Sequence, residues 1–352
     1  MKTRIFSAVL LVLLAVGLLA SCAEKADPAT PGGDTGTNAY KEWISDPHFE
    51  RGVNISGLRS DTVSYTPWNY DGPFEDPAWQ LGQYCDLSAT RQGYDADRND
   101  LSPLFGDLSP EPDGAGGSQS VSSTDGDFYT LTNASGSKRI AVNKKTSTVI
   151  LTADTTKEYI DPMTGVMQPR REGEDWVHMI LQQQLSIPIA EQEEIIMSCE
   201  FSVKQCDVVD DSIGAAQFQW VFSVSDVTRQ GKPGSHIWFL VSLYDNRYEI
   251  IPAFSMVDSG KADASNDYMY APGGAALFGE ENAKIRVGRK YRLTLDLKAQ
   301  LYTAFNEALA GGYLDENTAW ENMRIDSFNI GWEVSNVSVS SVEISDISLT
   351  TR

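Results

Sequence analysis

The chain has 352 residues, with 49 Asp and Glu against 28 Lys and Arg, and a formal charge of −21 at pH 7. So anionic a surface repels phosphate backbones and anionic lipid heads, whose recognition rests on Lys and Arg, and nucleic acid is excluded as a partner. With 41% hydrophobic and 22% charged residues, the chain is composed like a globular protein long enough to bury one large core.

The first element in chain order is an export leader. Lys2 and Arg4 precede an apolar run over residues 5–20, and Leu19-Ala20-Ser21-Cys22 supplies a small-residue processing site. The run falls short of the ~20 apolar residues of a membrane span, and no second run of that length follows. Leu19-Ala20-Ser21-Cys22 also resembles the lipobox of bacterial lipoproteins. That resemblance implies cleavage after residue 21 and a diacylated Cys22, so that the lipid is the chain's only membrane contact. Losing Lys2 and Arg4 with the leader takes the formal charge from −21 to −23.

Residues 22–40 are rich in Ala, Thr, Gly, Pro and Asp and too poor in large apolar groups to order themselves. They read as a flexible tether. Residues 41–125 are punctuated by Gly, Pro and Asp around Trp43, Trp68 and Trp79 and read as irregular loops and short strands wrapped on a larger body. The body and its wrapping form a single elaborated domain over residues 41–352.

From about residue 126, strand-length runs alternate with turns. Residues 194–206 put Ile195, Met197, Cys199, Phe201 and Val203 on one face, the period of a half-buried strand. Residues 217–224, 236–245, 291–297, 329–334 and 341–349 repeat the pattern. One helix is expected over residues 298–310, where Leu301, Ala304, Phe305, Ala308 and Leu309 share a face and Gly311-Gly312 supply a stop. The fold class is therefore mainly β: a two-sheet antiparallel β-sandwich of the concanavalin A-like or jelly-roll kind, with one short helix and long N-terminal loops.

The cysteines other than Cys22 are Cys85, Cys199 and Cys206, an odd number for an exported chain, so at least one thiol is free. Strict alternation puts Cys199 and Cys206 on opposite faces, unable to bridge without a bend. His48, His178 and His236 are scattered, and no Cys/His group has zinc spacing. Asp95, Asp97, Asn99 and Asp100 mimic the start of a calcium loop, but Asp100 and Gly106 stand where such a loop needs Gly and Glu. No cofactor is expected, and structural calcium elsewhere in so acidic a chain is left open without named ligands.

Chemistry concentrates on the non-core faces of the central strands. His178, Gln182 and Gln184 share one side of their run, as do Gln217 and Gln219, then Trp238, Ser242 and Tyr244, and then Asn329 and Glu333. Amides, a carboxylate, an imidazole and aromatic rings on one concave face can hydrogen-bond sugar hydroxyls and stack on sugar rings, and Asn246 and Arg247 follow at a strand end to rim the groove or to form an ordinary turn with a surface ion pair. Hydrolysis of a glycosidic bond needs two carboxyl groups at ~5–10 Å, and alternation places only Glu333 on this face, with Asp245 turned away. In an enzyme, His178, Tyr244 and Glu333 are the candidate catalytic groups. No Ser/His/Asp order, phosphate loop or H-E-x-x-H motif is evident.

The stretches Trp176-Val177-His178 with the following LQQQ, WFLVSLYDNR and FNIGWEV resemble uncharacterised Bacteroidota surface lipoproteins of the polysaccharide-utilisation type, over roughly residues 126–352. The resemblance implies a lipid-anchored outer-membrane protein, facing the surface or the periplasm, with a polysaccharide or oligosaccharide as partner. It extends to neither the E-x-D-x-x-E strand of laminarinase-type glucanases nor the Q-I-H motif of alginate-lyase sandwiches, both absent here. The expected function is a non-catalytic glycan-binding lipoprotein; a polysaccharide lyase or glycoside hydrolase using the same face, or a structural subunit of a surface complex, are the alternatives. Metabolic labelling with a fatty-acid analogue in a bacterial host should mark the wild-type chain, and Cys22→Ala should abolish the label and move the protein to the aqueous phase of a detergent partition.

Overall fold

The computed structural model describes residues 39–56, 65–70, 72, 77–83, 108, 121–160, 164–169, 176–259 and 265–352. The leader, Cys22, the tether up to residue 38, Cys85 and the acidic 95–100 segment lie outside them. The strands in chain order are β1 (Lys41–Glu42), β2 (Val53–Ser56), β3 (Tyr65–Trp68), β4 (Trp79–Gly82), β5 (Val121–Asp125), β6 (Phe128–Thr132), β7 (Lys138–Asn143) and β8 (Thr148–Asp154). They continue with β9 (Val177–Pro188), β10 (Ile195–Asp210), β11 (Ala216–Asp226), β12 (His236–Asp245), β13 (Phe254–Val257), β14 (Tyr268–Ala271), β15 (Lys290–Asp296), β16 (Met323–Val334) and β17 (Val337–Thr351).

Two sheets form a β-sandwich. One runs β15-β10-β17-β8-β7-β6-β5, with β1 also paired to β17; the other runs β13-β14-β12-β11-β16-β9-β4-β2-β3. Pairing is antiparallel apart from β12 with β14 and β2 with β4. The N-terminal strands β2, β3 and β4 extend the nine-stranded sheet rather than wrap around it, because Trp68 and Trp79 are needed inside. Trp79 is fully buried, stacks on Phe49 at 4.9 Å and donates from Nε1 to the carbonyl of Asp46 at 2.8 Å, which satisfies its one polar atom.

The core is the interdigitation of two inner faces. The eight-stranded sheet contributes Met197, Phe201, Val342 and Ile344, and its partner Phe218, Trp220, Phe222, Phe328, Ile330 and Trp332, all buried. Trp220 stacks on Phe222 at 5.5 Å and meets Phe328 edge-on at 5.7 Å. Truncating any one of these rings to Ala costs on the order of 3–5 kcal/mol.

Helix α2 (Leu297–Ala310) follows β15. It starts one residue before the sequence expectation, with Asp296 capping the Lys298 N–H at 3.1 Å. Its buried face is Leu297, Leu301, Ala304, Phe305 and Ala308, while Leu309 is exposed. It touches β10 of one sheet and β12 of the other, spanning the two layers. A five-residue helix, α1 (Gly274–Phe278), precedes it. Among the described residues no helix is long and apolar enough to cross a membrane.

β-Bulges reset which side chains face the core. In β10 the register against β17 slips between Val203 and Gln205, so the extra residue Lys204 inverts the alternation and turns Cys206 toward the core. The expectation that Cys199 and Cys206 point to opposite faces is therefore wrong. Both are free, since seven residues of strand separate them by roughly 23 Å. Burial pushes the Cys199 thiol up to about 12, so it stays protonated and unreactive.

The chain also leaves no room at Gly331 in β16. A Cβ there would stand 2.1 Å from the Met179 carbonyl oxygen and 2.8 Å from the Ile180 Cα, both backbone atoms of the paired strand. Gly331→Ala should destabilise the sandwich by on the order of 2–4 kcal/mol by forcing β9 and β16 apart, measured as a fall in the urea midpoint; an unchanged midpoint would show that the strands relax freely.

Candidate functional site

The outer face of the nine-stranded sheet can be read as transverse rows, because cross-strand partners share a face. One row is His178, Glu333, Gln217 and Asp245; the next is Gly82, Ile180, Gly331, Gln219 and Ser242. A third is Asn54, Gln80, Gln182, Asn329, Val221 and Leu240, and a fourth Gln184, Ser327, Ser223, Trp238 and Met269. Six expected site residues, His178, Gln182, Gln217, Gln219, Trp238 and Glu333, thus lie on one face. They spread along roughly 20 Å of strand instead of meeting at one point.

Tyr244 is not among them. The register of β12 against β11 slips between Phe218 and Gln219, which makes Leu243 a bulge residue and pairs Tyr244 with core-facing Phe218. Tyr244 packs edge-on to Trp332 at 6.1 Å and hydrogen-bonds the Cys206 thiol; burial and that bond hold its hydroxyl well above the usual range. The sequence-based role of Tyr244 as a groove residue or catalytic base is corrected on this ground.

The same bulge brings Asp245 onto the outer face, contrary to the alternation read from sequence. Asp245 is buried and already committed, accepting from Gln217 Nε2 at 3.0 Å and from Arg247 Nε and Nη2 at 3.0 and 2.6 Å. Arg247 therefore spends its guanidinium on a forked ion pair. Asn246 accepts the Ala216 N–H at 2.7 Å and acts as a strand-end brace.

Among the described residues, three buried atoms on the face lack hydrogen-bond partners, His236 Nδ1 at the cavity and two amide oxygens. Gln219 Oε1 and Asn329 Oδ1 are buried acceptors with no hydrogen-bond donor, and they lie in adjacent rows. Gln182 donates to Gln80 across the strands at 3.3 Å.

Beyond the fourth row the face opens into a cavity of 1020 Å³ whose lining includes Gln184, Trp238, Arg324, Asp326 and the loop residues Lys232 and Asp267. Asp326 is the bulge residue where β16 slips against β11 between Ser223 and Val224, and it accepts from Ser225 Oγ at 2.5 Å. Burial raises its carboxyl pKa against the opposing pull of Ser225, His236 and Arg324. Beside it, His236 Nε2 stands 2.8 Å from Ser223 Oγ and His236 Nδ1 3.2 Å from Asp267 Oδ2. The imidazole also meets the Trp238 ring edge-on at 4.5 Å, and Trp238 Nε1 donates to Ser265 at 3.2 Å. Ser223, His236, Asp267 and Asp326 were invisible to motif reading. They come from three strands and the loop before β14, and a bulge, which leaves no mark in a hydrophobic pattern, sets the direction of Asp326. Among the described residues no group of three or more His, Cys, Asp or Glu is arranged to hold a metal ion.

No protein-family model matches the sequence, and no curated protein matches it. Among solved structures the chain is similar to endoglucanase Cel12A from Rhodothermus marinus, at 13% identity over 64% of this chain and 92% of that one, with a TM-score of 0.35. It is also similar to the xyloglucanase domain of NopAA, a type three effector from Sinorhizobium fredii, at 10% identity over 71% and 100%, TM-score 0.34. A third is a family 12 xyloglucanase from Bacillus licheniformis, at 9% identity over 64% and 87%, TM-score 0.34. At such scores the site is read from its own groups. Asp326 provides one test: its folded-state pKa is raised, so its contribution to stability is present at low pH and is lost as pH rises through the carboxylate range. Asp326→Asn should raise the melting temperature at pH 7 by on the order of 1–3 °C and bring no gain near pH 3; a fall at pH 7 would contradict the burial cost.

Proposed function

We propose that the outer face of the nine-stranded sheet binds a neutral poly- or oligosaccharide. The carrying observation is the pair of buried, partnerless amide oxygens, Gln219 Oε1 and Asn329 Oδ1. An unpaired buried acceptor costs about 1–3 kcal/mol, and sugar hydroxyls are donors that remove this cost. Trp238 at the cavity supplies a ring for stacking, and the formal charge of −21 favours a neutral ligand over a polyanionic one. Anchoring through Cys22 at the outer membrane would present this face to extracellular or periplasmic glycan.

Cleavage of the bound glycosidic bond has less support. Asp326, with its raised pKa, suits a general acid, but Glu333 lies seven residues along the same strand, roughly 23 Å away, beyond the ~5–10 Å that paired carboxyls need. Asp245 and Glu333 flank Gln217 at about 10 Å, yet Asp245 is buried under Arg247. A lyase using Tyr244 is disfavoured because that hydroxyl faces the core.

Affinity electrophoresis and isothermal titration against β-glucan, xyloglucan, mannan and xylan should show retardation by at least one neutral glycan. Trp238→Ala and Asn329→Ala should each weaken that binding roughly 5- to 30-fold, equivalent to about 1–2 kcal/mol, with unchanged melting curves. No binding to any neutral glycan, or full affinity in both variants, would overturn the assignment.

A further inference from the structure

We infer that Ser223, His236 and Asp267 form a nucleophilic triad that hydrolyses short acyl esters, with acylated sugar hydroxyls as the substrate class. The choice of a sugar as the alcohol rests on the glycan reading above; the nucleophile does not.

A serine hydroxyl becomes a nucleophile when a neighbouring imidazole takes its proton and a carboxylate holds that imidazole in the right tautomer. Ser223 Oγ lies 2.8 Å from His236 Nε2, within transfer reach. Asp267 Oδ2 lies 3.2 Å from Nδ1 on the opposite side of the ring, and since Nδ1 is buried without a hydrogen-bond partner, this carboxylate is the acceptor within reach that a small turn of the ring would engage. The imidazole is four-fifths shielded, with 17% of its side chain exposed, and the Trp238 ring, edge-on with centroids 4.5 Å apart, limits its rotation. All three triad residues line the 1020 Å³ cavity, so the hydroxyl opens onto space large enough for an acyl group and part of a sugar. A polar network serving only to solvate a sheet face requires neither a shielded imidazole nor a cavity over the serine.

The sheet explains the placement. Ser223 pairs with Trp238 across β12, and Ser225 on the same face pairs with His236, so the imidazole reaches diagonally to Ser223. Asp267 immediately precedes β14, whose first residue, Tyr268, pairs with Ile237, which puts the carboxylate beside the ring. Ser223 lies in a strand paired on both sides, so stabilisation of an oxyanion falls to side chains. Arg324, Lys232 and Gln184 line the same cavity and are the donors available for it.

In the reaction, Ser223 Oγ forms a bond to the ester carbonyl carbon while its proton passes to His236 Nε2. The bond between that carbon and the sugar oxygen then breaks, and the sugar oxygen takes the proton from Nε2 and leaves as a free hydroxyl. Water attacks the acyl-serine, its proton passing to Nε2; the carbon–Oγ bond breaks and Oγ recovers the proton. Ester and water give carboxylic acid and alcohol, with no other reactant. Ser223 and His236 are the catalytic residues, and Asp267 is a positioning residue.

The full-length protein incubated with an alkyl fluorophosphonate should gain one adduct, found by mass spectrometry on the peptide carrying Ser223. It should also turn over 4-nitrophenyl acetate and release acetate from acetylated xylo-oligosaccharides. Ser223→Ala should abolish both adduct and turnover, His236→Ala should lower turnover by about 10²–10⁴-fold, and Asp267→Asn should lower it with partial recovery in Asp267→Glu, a rescue that a purely structural role would not give. Because labelling is read on the wild-type chain, a variant that fails to fold leaves the test intact. No adduct on the wild type, an adduct on another residue, or turnover that survives Ser223→Ala overturns the triad. Turnover of 4-nitrophenyl acetate without acetate release from any acetylated glycan overturns the substrate class. Glycan retardation measured on the same preparations separates failure of the triad from failure of the binding face.

Discussion

The row of aromatic side chains on the inner face of β11 and β16 decides the orientation of almost everything else. Phe218, Trp220, Phe222, Phe328 and Trp332 are all buried, and their volume and apolar area pin the register of the nine-stranded sheet, because a slip of one residue would turn every one of them outward. With the inner set fixed, the outer set follows by the period of two, and the rows of amides, carboxylates and hydroxyls on that face are the geometric complement of the core. Where the period breaks it does so at bulges. Leu243, Lys204 and Asp326 each stand at one, and the breaks carry Tyr244 and Cys206 inward and set Asp326 over a cavity.

The face is chemically graded along its length. Near the Glu333 end several polar groups are committed: Asp245 is tied to Gln217 and Arg247, and Asn246 is spent on a backbone N–H. In the middle, Gln219 and Asn329 keep buried oxygens without donors. At the Asp326 end, a cavity collects an imidazole, two carboxylates and two serines, joined by the Ser223–His236 and Ser225–Asp326 hydrogen bonds and by the His236–Asp267 ion-pair contact. Saturated polar groups rigidify a sheet, whereas unsatisfied acceptors and a shielded imidazole hold free energy that a ligand can release. Function therefore concentrates from the middle of the face toward the cavity.

Stability and reactivity are partitioned by burial. The free thiol of Cys199 is silenced by the core, and Cys206 is capped by Tyr244 and Ser340. The charges that remain structurally engaged are at strand and loop ends. Asp226, for example, is buried, yet the N–H groups of Thr228 and Ala319, the Thr228 hydroxyl and nearby Arg229 hold its carboxyl below the usual range despite that burial. It pins the start of the β11–β12 connection that walls the cavity, through the Thr228 and Ala319 bonds of 2.8 and 3.2 Å.

The sequence by itself determined the sandwich, the positions of its long strands, helix α2 and the polar character of one sheet face, because each depends on periodicity that a local window contains. Met197, Phe201, Trp220 and Trp332 were legible as core, and His178, Gln182, Gln217, Gln219, Trp238 and Glu333 as one face, for that reason alone. What only the tertiary structure decided are the bulges, the recruitment of β2, β3 and β4 into the sheet, and the meeting of Ser223, His236 and Asp267. A bulge is one extra residue whose presence is dictated by the partner strand, and β2–β4 owe their order to an aromatic pocket contributed by distant residues such as Phe328. The Ser–His–Asp contact joins strands whose adjacency is a property of sheet order, and no spacing along the chain encodes that order.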